Sequence, residues 1–343
     1  MMSTSKNESS RFELLDLTRG IAALGILLFH AYPVPIFSTL YTFVDFFFVL
    51  SGFVLAPSYL RVNTYSEATK FLVSRAFRLF PMAIATLSFV VGIQIIVDVK
   101  HFAMDEINSS RIDTSFVTLF TAFGLLQIFS HSAMLLNYPL WSLSAEWLSN
   151  FFVVSQLIFR RFNSAFFFIV GCLFIWHFQS SGNEWEEQFG RAISGFYFGI
   201  ILRQICNRRR LWARYRLVAS LALVVFMNVS IYFVGSKLSY LSPLTYGLAI
   251  IQLSCVPICP RSRISKVASF LGRYSYGFYA WHFPLLSVSA ILIEKALIQF
   301  NLPSVGSQHL TVLLCFTLTI TFTHLTLKYL ETPLRSHRAR KMA

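Results

Sequence analysis

Charged side chains are scarce in this chain of 343 residues. Asp, Glu, Lys and Arg make up 13% of it, and only 15 residues are acidic. This deficit excludes an ordinary soluble domain, in which about a quarter of the residues are charged. The chain is apolar instead: 55% of its residues are hydrophobic, it has 37 Phe, and its mean hydropathy is +0.61. The composition predicts an all-α, polytopic membrane protein.

Cysteine is also scarce, and its pattern excludes two kinds of site. Five cysteines lie in or beside apolar stretches, without the spacing of metal ligands and without nearby histidines. We therefore expect no disulfide framework and no metal site. The polar first thirteen residues lack the apolar core of a signal peptide, so we expect the first membrane helix to direct insertion.

Basic residues outnumber acidic ones and give a formal net charge of +14. In a soluble protein this excess would suggest nucleic acid as a partner. In a membrane protein it is typical of the cytoplasmic loops that set topology, so we expect no nucleic-acid partner.

Ten apolar stretches are long enough, or nearly so, to cross about 30 Å of hydrocarbon. They cover residues 14–32, 36–60, 80–97, 140–159, 165–178, 190–202, 217–235, 238–257, 274–293 and 309–330. The sequence thus predicts a membrane domain over residues 14–333, between a short polar N-terminus at 1–13 and a basic tail at 334–343.

An eleventh apolar stretch at residues 115–130 is shorter, and positive charge decides how it lies. If it does not cross, all but five of the 29 Lys and Arg fall on the side of the N-terminus, which the positive-inside bias makes cytoplasmic. We therefore predict a re-entrant or interfacial segment there, and both termini in the cytoplasm. The five exceptions are Lys100, Arg111, Arg191, Lys237 and Lys295.

Two ionisable residues share one face of the first predicted helix. Arg19 and His30 are eleven residues apart, and everything between them is apolar or glycine. Helical geometry places both side chains on nearly the same face, about 16 Å apart along the axis. Since ionisable groups are costly inside a membrane, they indicate a functional site by default.

Three more titratable residues are predicted at a similar depth on other helices. They are Asp45 in the outer half of the second span, Glu146 two turns from the outer end of its span, and His282 near the middle of its span. With His30 they form one polar slab. A structural role is the alternative for each of these residues. The histidines would form hydrogen bonds between helices, and the carboxylates would pair with Arg19 or with a histidine.

Arg75 and Arg78 lie three residues apart just before Pro81. Two interpretations are open at this point. The side chains extend toward lipid phosphates, or they form a phosphate site on the cytoplasmic face.

Six motifs occur in an order that resembles the bacterial acyltransferase-3 family of membrane O-acyltransferases. They are LDLTRGIAALGILLFHAY, VDFFFVLSGFVL, SRAFRLFP, WSLSAEW, LGRYSYGFYAWHFPLL and YLETPLR. The resemblance implies a protein of the bacterial inner membrane that modifies surface polysaccharides, lipid-linked sugars or Nod factors. It implies acyl-CoA, usually acetyl-CoA, as the donor substrate and no tightly bound cofactor.

The resemblance also assigns family positions to residues of this chain. They are Arg19 and His30 on the first helix, the loop arginines Arg75 and Arg78, the group Trp141, Ser142 and Glu146, and the late pair Tyr279 and His282.

Chemistry and resemblance together predict O-acyl transfer to a carbohydrate or lipid-linked glycan. We expect CoA phosphates on Arg75 and Arg78, and His30 as the general base, because imidazole titrates near neutrality. Asp45 or Glu146 would orient His30 or hold the sugar. Direct transfer and an acyl-histidine intermediate are both compatible with this layout. The alternative function is a multi-pass transporter or flippase for a polar or lipid-linked substrate.

Overall fold

The computed structural model describes residues 12–104, 112–158, 163–206, 214–256, 262–334 and 336. Within them the chain forms twelve α-helices and no β-strand, as the composition predicts. Most of the predicted N-terminus (1–13) and tail (334–343), and residues 207–213 between two predicted spans, lie outside the described residues. The helices are α1 Glu13–Ala31, α2 Phe43–Tyr59, α3 Tyr65–Met104, α4 Phe116–Phe123, α5 His131–Leu136, α6 Leu140–Phe151, α7 Asn163–Ser181, α8 Glu184–Cys206, α9 Arg214–Val234, α10 Ser242–Cys255, α11 Arg263–Gln299 and α12 Ser307–Thr326.

Six helical segments of the described chain are long and apolar enough to cross a membrane. They are Glu13–Ala31, Pro35–Tyr59, Tyr65–Asp98, Leu217–Val234, Arg263–Gln299 and Ser307–Leu334. The protein is therefore an all-α membrane protein. The other four predicted spans fall on α6, α7, α8 and α10, which do not meet the same test of length and apolarity. The total of ten crossings stays a prediction.

The stretch at residues 115–130 is too short to cross as a helix. Its longest element, α4, has eight residues and covers about 12 Å. The Ser115 side chain caps it by accepting a hydrogen bond from the Thr118 amide. Phe116, Val117 and Phe120 are exposed, which leaves α4 an apolar outer face. This geometry agrees with a re-entrant or interfacial segment.

Glycines allow two pairs of helices to approach closely. A Cβ on Gly272 of α11 would lie 2.6 Å from the Asp16 Cβ of α1, and one on Gly20 of α1 would collide with Leu271. Gly52 of α2 and Gly199 of α8 likewise face backbone atoms of the opposite helix. Small residues with this role are common between membrane helices. The first contact presses the Arg19 face of α1 against α11.

Two helices begin at other places than the sequence predicts. The second span starts with two 3-10 turns, Pro35–Phe37 and Leu40–Thr42, so that α2 begins only at Phe43. Asp45 therefore lies in the first turn of α2. The third span begins earlier than predicted: α3 has 40 residues, or about 60 Å, and contains Pro81. Arg75 and Arg78, three residues apart, lie on this helix just before Pro81, as a helical spacing predicts.

Candidate functional site

A cavity of about 370 Å³ lies among α1, α2, α3, α6 and α11. Its size is within the range of small-molecule sites. Three guanidinium groups and two carboxylates line it, and we call it the arginine cavity. Six of the ten predicted site residues line it: Arg19, Arg75, Arg78, Ser142, Glu146 and Tyr279.

Arg19 makes two hydrogen bonds to α11 and a third to Asp16 of its own helix. Its Nε donates to Ser275 Oγ at 3.0 Å, and its Nη2 donates to Gly272 O at 2.7 Å and to Asp16 Oδ1 at 2.7 Å. His30 contacts the same helix further along, at His282. Both side chains thus face α11, as their spacing predicts.

Arg75 and Glu146 form an ion pair between α3 and α6. Arg75 Nη2 donates to Glu146 Oε1 at 2.8 Å, and Ser51 Oγ donates to the same oxygen at 2.6 Å. The side chains of Arg75 and Glu146 are only 16% and 13% exposed. The Nε of Arg75 is buried and has no hydrogen-bond partner among the described residues. The pair therefore leaves one buried donor of Arg75 unsatisfied within the described part of the chain.

Arg78 is held more loosely than the other two arginines. Its Nη1 lies 3.8 Å from Glu331 Oε1, and its guanidinium lies over the Tyr276 ring at 5.9 Å. The Tyr276 hydroxyl donates to Leu79 O. Arg75 and Arg78 thus belong to one cavity, but each already has a carboxylate neighbour. An anion that enters must exchange with these carboxylates.

Glu146 lines the arginine cavity, whereas His30 does not. The Tyr279 hydroxyl lies 2.6 Å from Ser142 Oγ and donates to Pro139 O at 2.9 Å, which joins the start of α6 to α11. Glu146 follows Ser142 by one helical turn, about 6 Å along α6. Its carboxylate accepts from Arg75 and Ser51.

Asp45 contacts Arg191 in the structure. Its two carboxylate oxygens accept from Arg191 Nε and Nη2, both at 3.0 Å, and the two residues are 1% and 8% exposed. This bidentate pair links α2 to α8. The expectation that Asp45 orients His30 or holds the sugar stays a prediction.

His30 and His282 face each other outside the arginine cavity, and we call them the histidine pair. Their ring centroids are 5.3 Å apart. His30 is partly exposed and packs on Tyr138 and Phe283 at 6.5 and 5.3 Å between ring centroids, whereas His282 is wholly buried. Burial and Glu184 raise the pKa of the Tyr138 phenol above its ordinary value.

Tyr279 connects the two regions. It lines the arginine cavity, and its ring centroid lies 5.9 Å from that of His282. Trp141 is the remaining predicted site residue. It is buried against Phe48 and is not part of the cavity wall.

The sequence interpretation missed several residues of these sites. Asp16 is three residues before Arg19, and Ser51 and Glu331 belong to quoted motifs, so each had a local signal. Arg191 follows the glutamates that begin α8, and only its match to Asp45 could have indicated a buried role. Among the described residues, no group of three or more His, Cys, Asp or Glu could hold a metal ion.

Comparison with known proteins identifies the family. The sequence model of the acyltransferase-3 family, described as an acyltransferase domain, matches residues 12–326. One relative is ORF330 of Acidianus two-tailed virus, named as a candidate acetyltransferase. It is 25% identical over 300 residues, which cover 81% of this chain and 85% of the relative. Another is protein 2 in the picA locus of Rhizobium radiobacter, 32% identical over 172 residues that cover 46% of this chain and 85% of the relative. No solved structure matches. The chain belongs to the acyltransferase-3 family and is a membrane acyltransferase.

Proposed function

We propose that this protein transfers an acyl group, most simply acetyl, from acyl-CoA to a hydroxyl of a carbohydrate or lipid-linked glycan. The observation that carries the proposal is the arginine cavity. It gathers three guanidinium groups from two helices within a membrane bundle. Ionisable residues at such depth are costly unless they serve a ligand or a partner.

The charge of the cavity favours an anionic donor. Its wall has three guanidinium groups against the two carboxylates of Asp16 and Glu146, which leaves a net positive charge. Arginine is suited to phosphate because its planar donors bind two oxygens at once. An anion binds here by exchange with the carboxylates of Asp16 and Glu146, which now accept from Arg19 and Arg75. CoA phosphates on Arg75 and Arg78 satisfy this arrangement.

The thioester lies toward Tyr279 when the phosphates occupy the arginine end. Tyr279 is the part of the cavity wall that contacts the histidine pair. His30 then removes the proton from the acceptor hydroxyl, whose oxygen attacks the thioester carbonyl. The C–S bond breaks, and His30 returns the proton to the CoA thiolate. An acyl-histidine intermediate is the alternative route from the same groups.

The arginine cavity and the histidine pair follow each other along the axes of α1 and α11. Arg19 and His30 are successive along α1, and Ser275 and His282 are successive along α11. With both termini in the cytoplasm of a bacterial inner membrane, the donor enters from the cytoplasm and the glycan approaches His30 from the outer half. Acyl-CoA, the glycan and membrane lipid are the partners in this proposal.

The test is acyl transfer by the purified protein in lipid nanodiscs. Release of the CoA thiol from acetyl-CoA is measured with and without glycans extracted from a strain that lacks the gene. Mass spectrometry of the same glycans then detects an added acetyl ester. The proposal predicts thiol release that depends on glycan, with one ester formed per thiol. Absence of both with acetyl-CoA and longer acyl-CoA donors contradicts it.

A further inference from the structure

The tautomer of His282 follows from its neighbours. Its Nδ1 lies 2.7 Å from Tyr279 O and 3.1 Å from Phe278 O, both in its own helix. Carbonyl oxygens only accept hydrogen bonds, so Nδ1 must carry the hydrogen. In the neutral ring, Nε2 then holds a lone pair and can only accept.

The Nε2 of His282 is left without a partner. The residue is 0% exposed, and this atom has no hydrogen-bond partner among the described residues. Polar groups buried in this way are almost always bonded in proteins. We therefore expect a hydrogen-bond donor beside this atom. The ring that faces His282 is that of His30.

His30 has the freedom to supply this donor. Among the described residues, the contacts of the His30 ring are all with aromatic rings, and neither ring nitrogen makes a hydrogen bond. The distance of 5.3 Å between the ring centroids allows one nitrogen of each ring to meet after a rotation about the His30 Cβ–Cγ bond.

We propose that His282 is a positioning residue for His30. Its Nε2 accepts the N–H of one His30 nitrogen, which fixes the His30 tautomer and turns the other nitrogen toward the acceptor hydroxyl. This inference rests on the proposed function. His282 does not touch substrate, because it is wholly buried whereas His30 is partly exposed.

The bond becomes stronger during the reaction. When His30 takes the hydroxyl proton, its ring becomes a cation, and the N–H that faces His282 makes a charge-assisted bond. The ester C–O bond forms, the C–S bond breaks, and His30 passes the same proton to the leaving thiolate. His282 stays neutral throughout and keeps its own proton on Nδ1.

Two substitutions separate this role from a structural one. His282→Asn keeps a donor at the place of Nδ1, for the carbonyls of Phe278 and Tyr279, but removes the acceptor at Nε2. His282→Gln can put an amide oxygen at the place of Nε2 but loses the short-range donor. We expect the Asn variant to lose about a hundredfold in kcat, the loss typical of a misplaced reacting group. The Gln variant should stay within about tenfold of the wild type, and KM for acyl-CoA should be nearly unchanged in both.

The outcomes are distinct. An Asn variant as active as the Gln variant, or more active, overturns the proposal, because anchoring to the helix would then be the whole role. A rise in KM equal to the loss in kcat also overturns it. If the wild-type protein shows no acyl transfer, the proposed function fails, and that result is seen before any variant is made.

A measurement on the wild-type protein covers the case in which neither variant accumulates. Nitrogen-15 chemical shifts of the His30 ring report which nitrogen carries the hydrogen. The proposal predicts a single tautomer whose N–H is bonded to a nitrogen acceptor. A mixture of both tautomers contradicts it.

Discussion

The arginine cavity and the histidine pair both lie along α1 and α11, but the charged groups of the cavity are paired with carboxylates, whereas the buried acceptor of the histidine pair has no partner in the described chain. In the cavity, Arg19 and Arg75 each bind a carboxylate at 2.7 to 2.8 Å. In the histidine pair, His282 Nε2 is buried and unpartnered. Paired charges suit a site that binds an anion by exchange of partners. An unpaired imidazole nitrogen suits a site where a proton moves.

Substitution of His30 should have the largest effect. His30→Ala removes the proposed base, and general-base catalysis contributes about 10²- to 10⁴-fold to a rate. We expect kcat for acyl transfer to fall by about that factor at normal membrane abundance. His324→Ala is the matched control, because His324 bonds Tyr274 at an exposed position of α12. Substantial turnover by His30→Ala, or an equal loss in the control, would remove His30 from the chemistry.

Substitution of Asp45 tests whether the buried ion pair with Arg191, which lies outside both regions, affects the stability of the protein and not donor binding. Asp45→Asn leaves the Arg191 guanidinium with only the more distant carboxylate of Glu187, at 3.8 Å. Since breaking a buried pair costs about 3 to 5 kcal/mol, we expect a loss of stability up to that size. We expect a lower temperature of thermal inactivation, with KM for acyl-CoA unchanged below that temperature. The double variant Asp45→Leu, Arg191→Met should recover part of the stability. Normal stability combined with loss of kcat would support Asp45 as a catalytic candidate.

Neutralisation of two arginines should weaken donor binding by a smaller factor. Each charge-assisted contact contributes about 1.5 to 3 kcal/mol, less the screening by solvent. Arg75→Gln with Arg78→Gln should therefore raise KM for acyl-CoA about tenfold or more, with a smaller change in kcat. Lys70→Gln removes an exposed charge from the same helix and is the control. An unchanged KM in the double variant would assign the two arginines to packing and membrane anchoring.

The orientation of the two regions can be tested without any expected change in activity. Single cysteines at Ser132 and Asn183, in a cysteine-free background, should react with an impermeant thiol reagent from outside intact cells. A cysteine at Lys266, where α11 begins, should react only after lysis. Labelling of Lys266→Cys in intact cells would reverse the proposed side of donor entry.

Much of the fold and part of the site could be predicted from local sequence. The helical period predicted that Arg19 and His30 share one face. The distribution of Lys and Arg between the two sides of the membrane predicted that residues 115–130 do not form a full span. Contacts between distant segments could not be predicted. The pairing of Glu146 with Arg75, and of Asp45 with Arg191, depends on helix starts and on close approach at glycines. Neither ion pair can be predicted from a periodic pattern in the local sequence. The same holds for the unpartnered nitrogen of His282.

Binding of CoA to purified variants, measured by calorimetry together with turnover, shows whether the donor binds at a different place from the chemistry. In the proposed function, the arginine cavity binds the donor and the histidine pair carries out proton transfer. His30→Ala should therefore bind CoA as the wild type does while turnover is lost. The variant with Arg75→Gln and Arg78→Gln should bind CoA about tenfold more weakly, the equivalent of 1.4 kcal/mol. Loss of CoA binding in His30→Ala, or wild-type affinity in the arginine variant, would contradict the account.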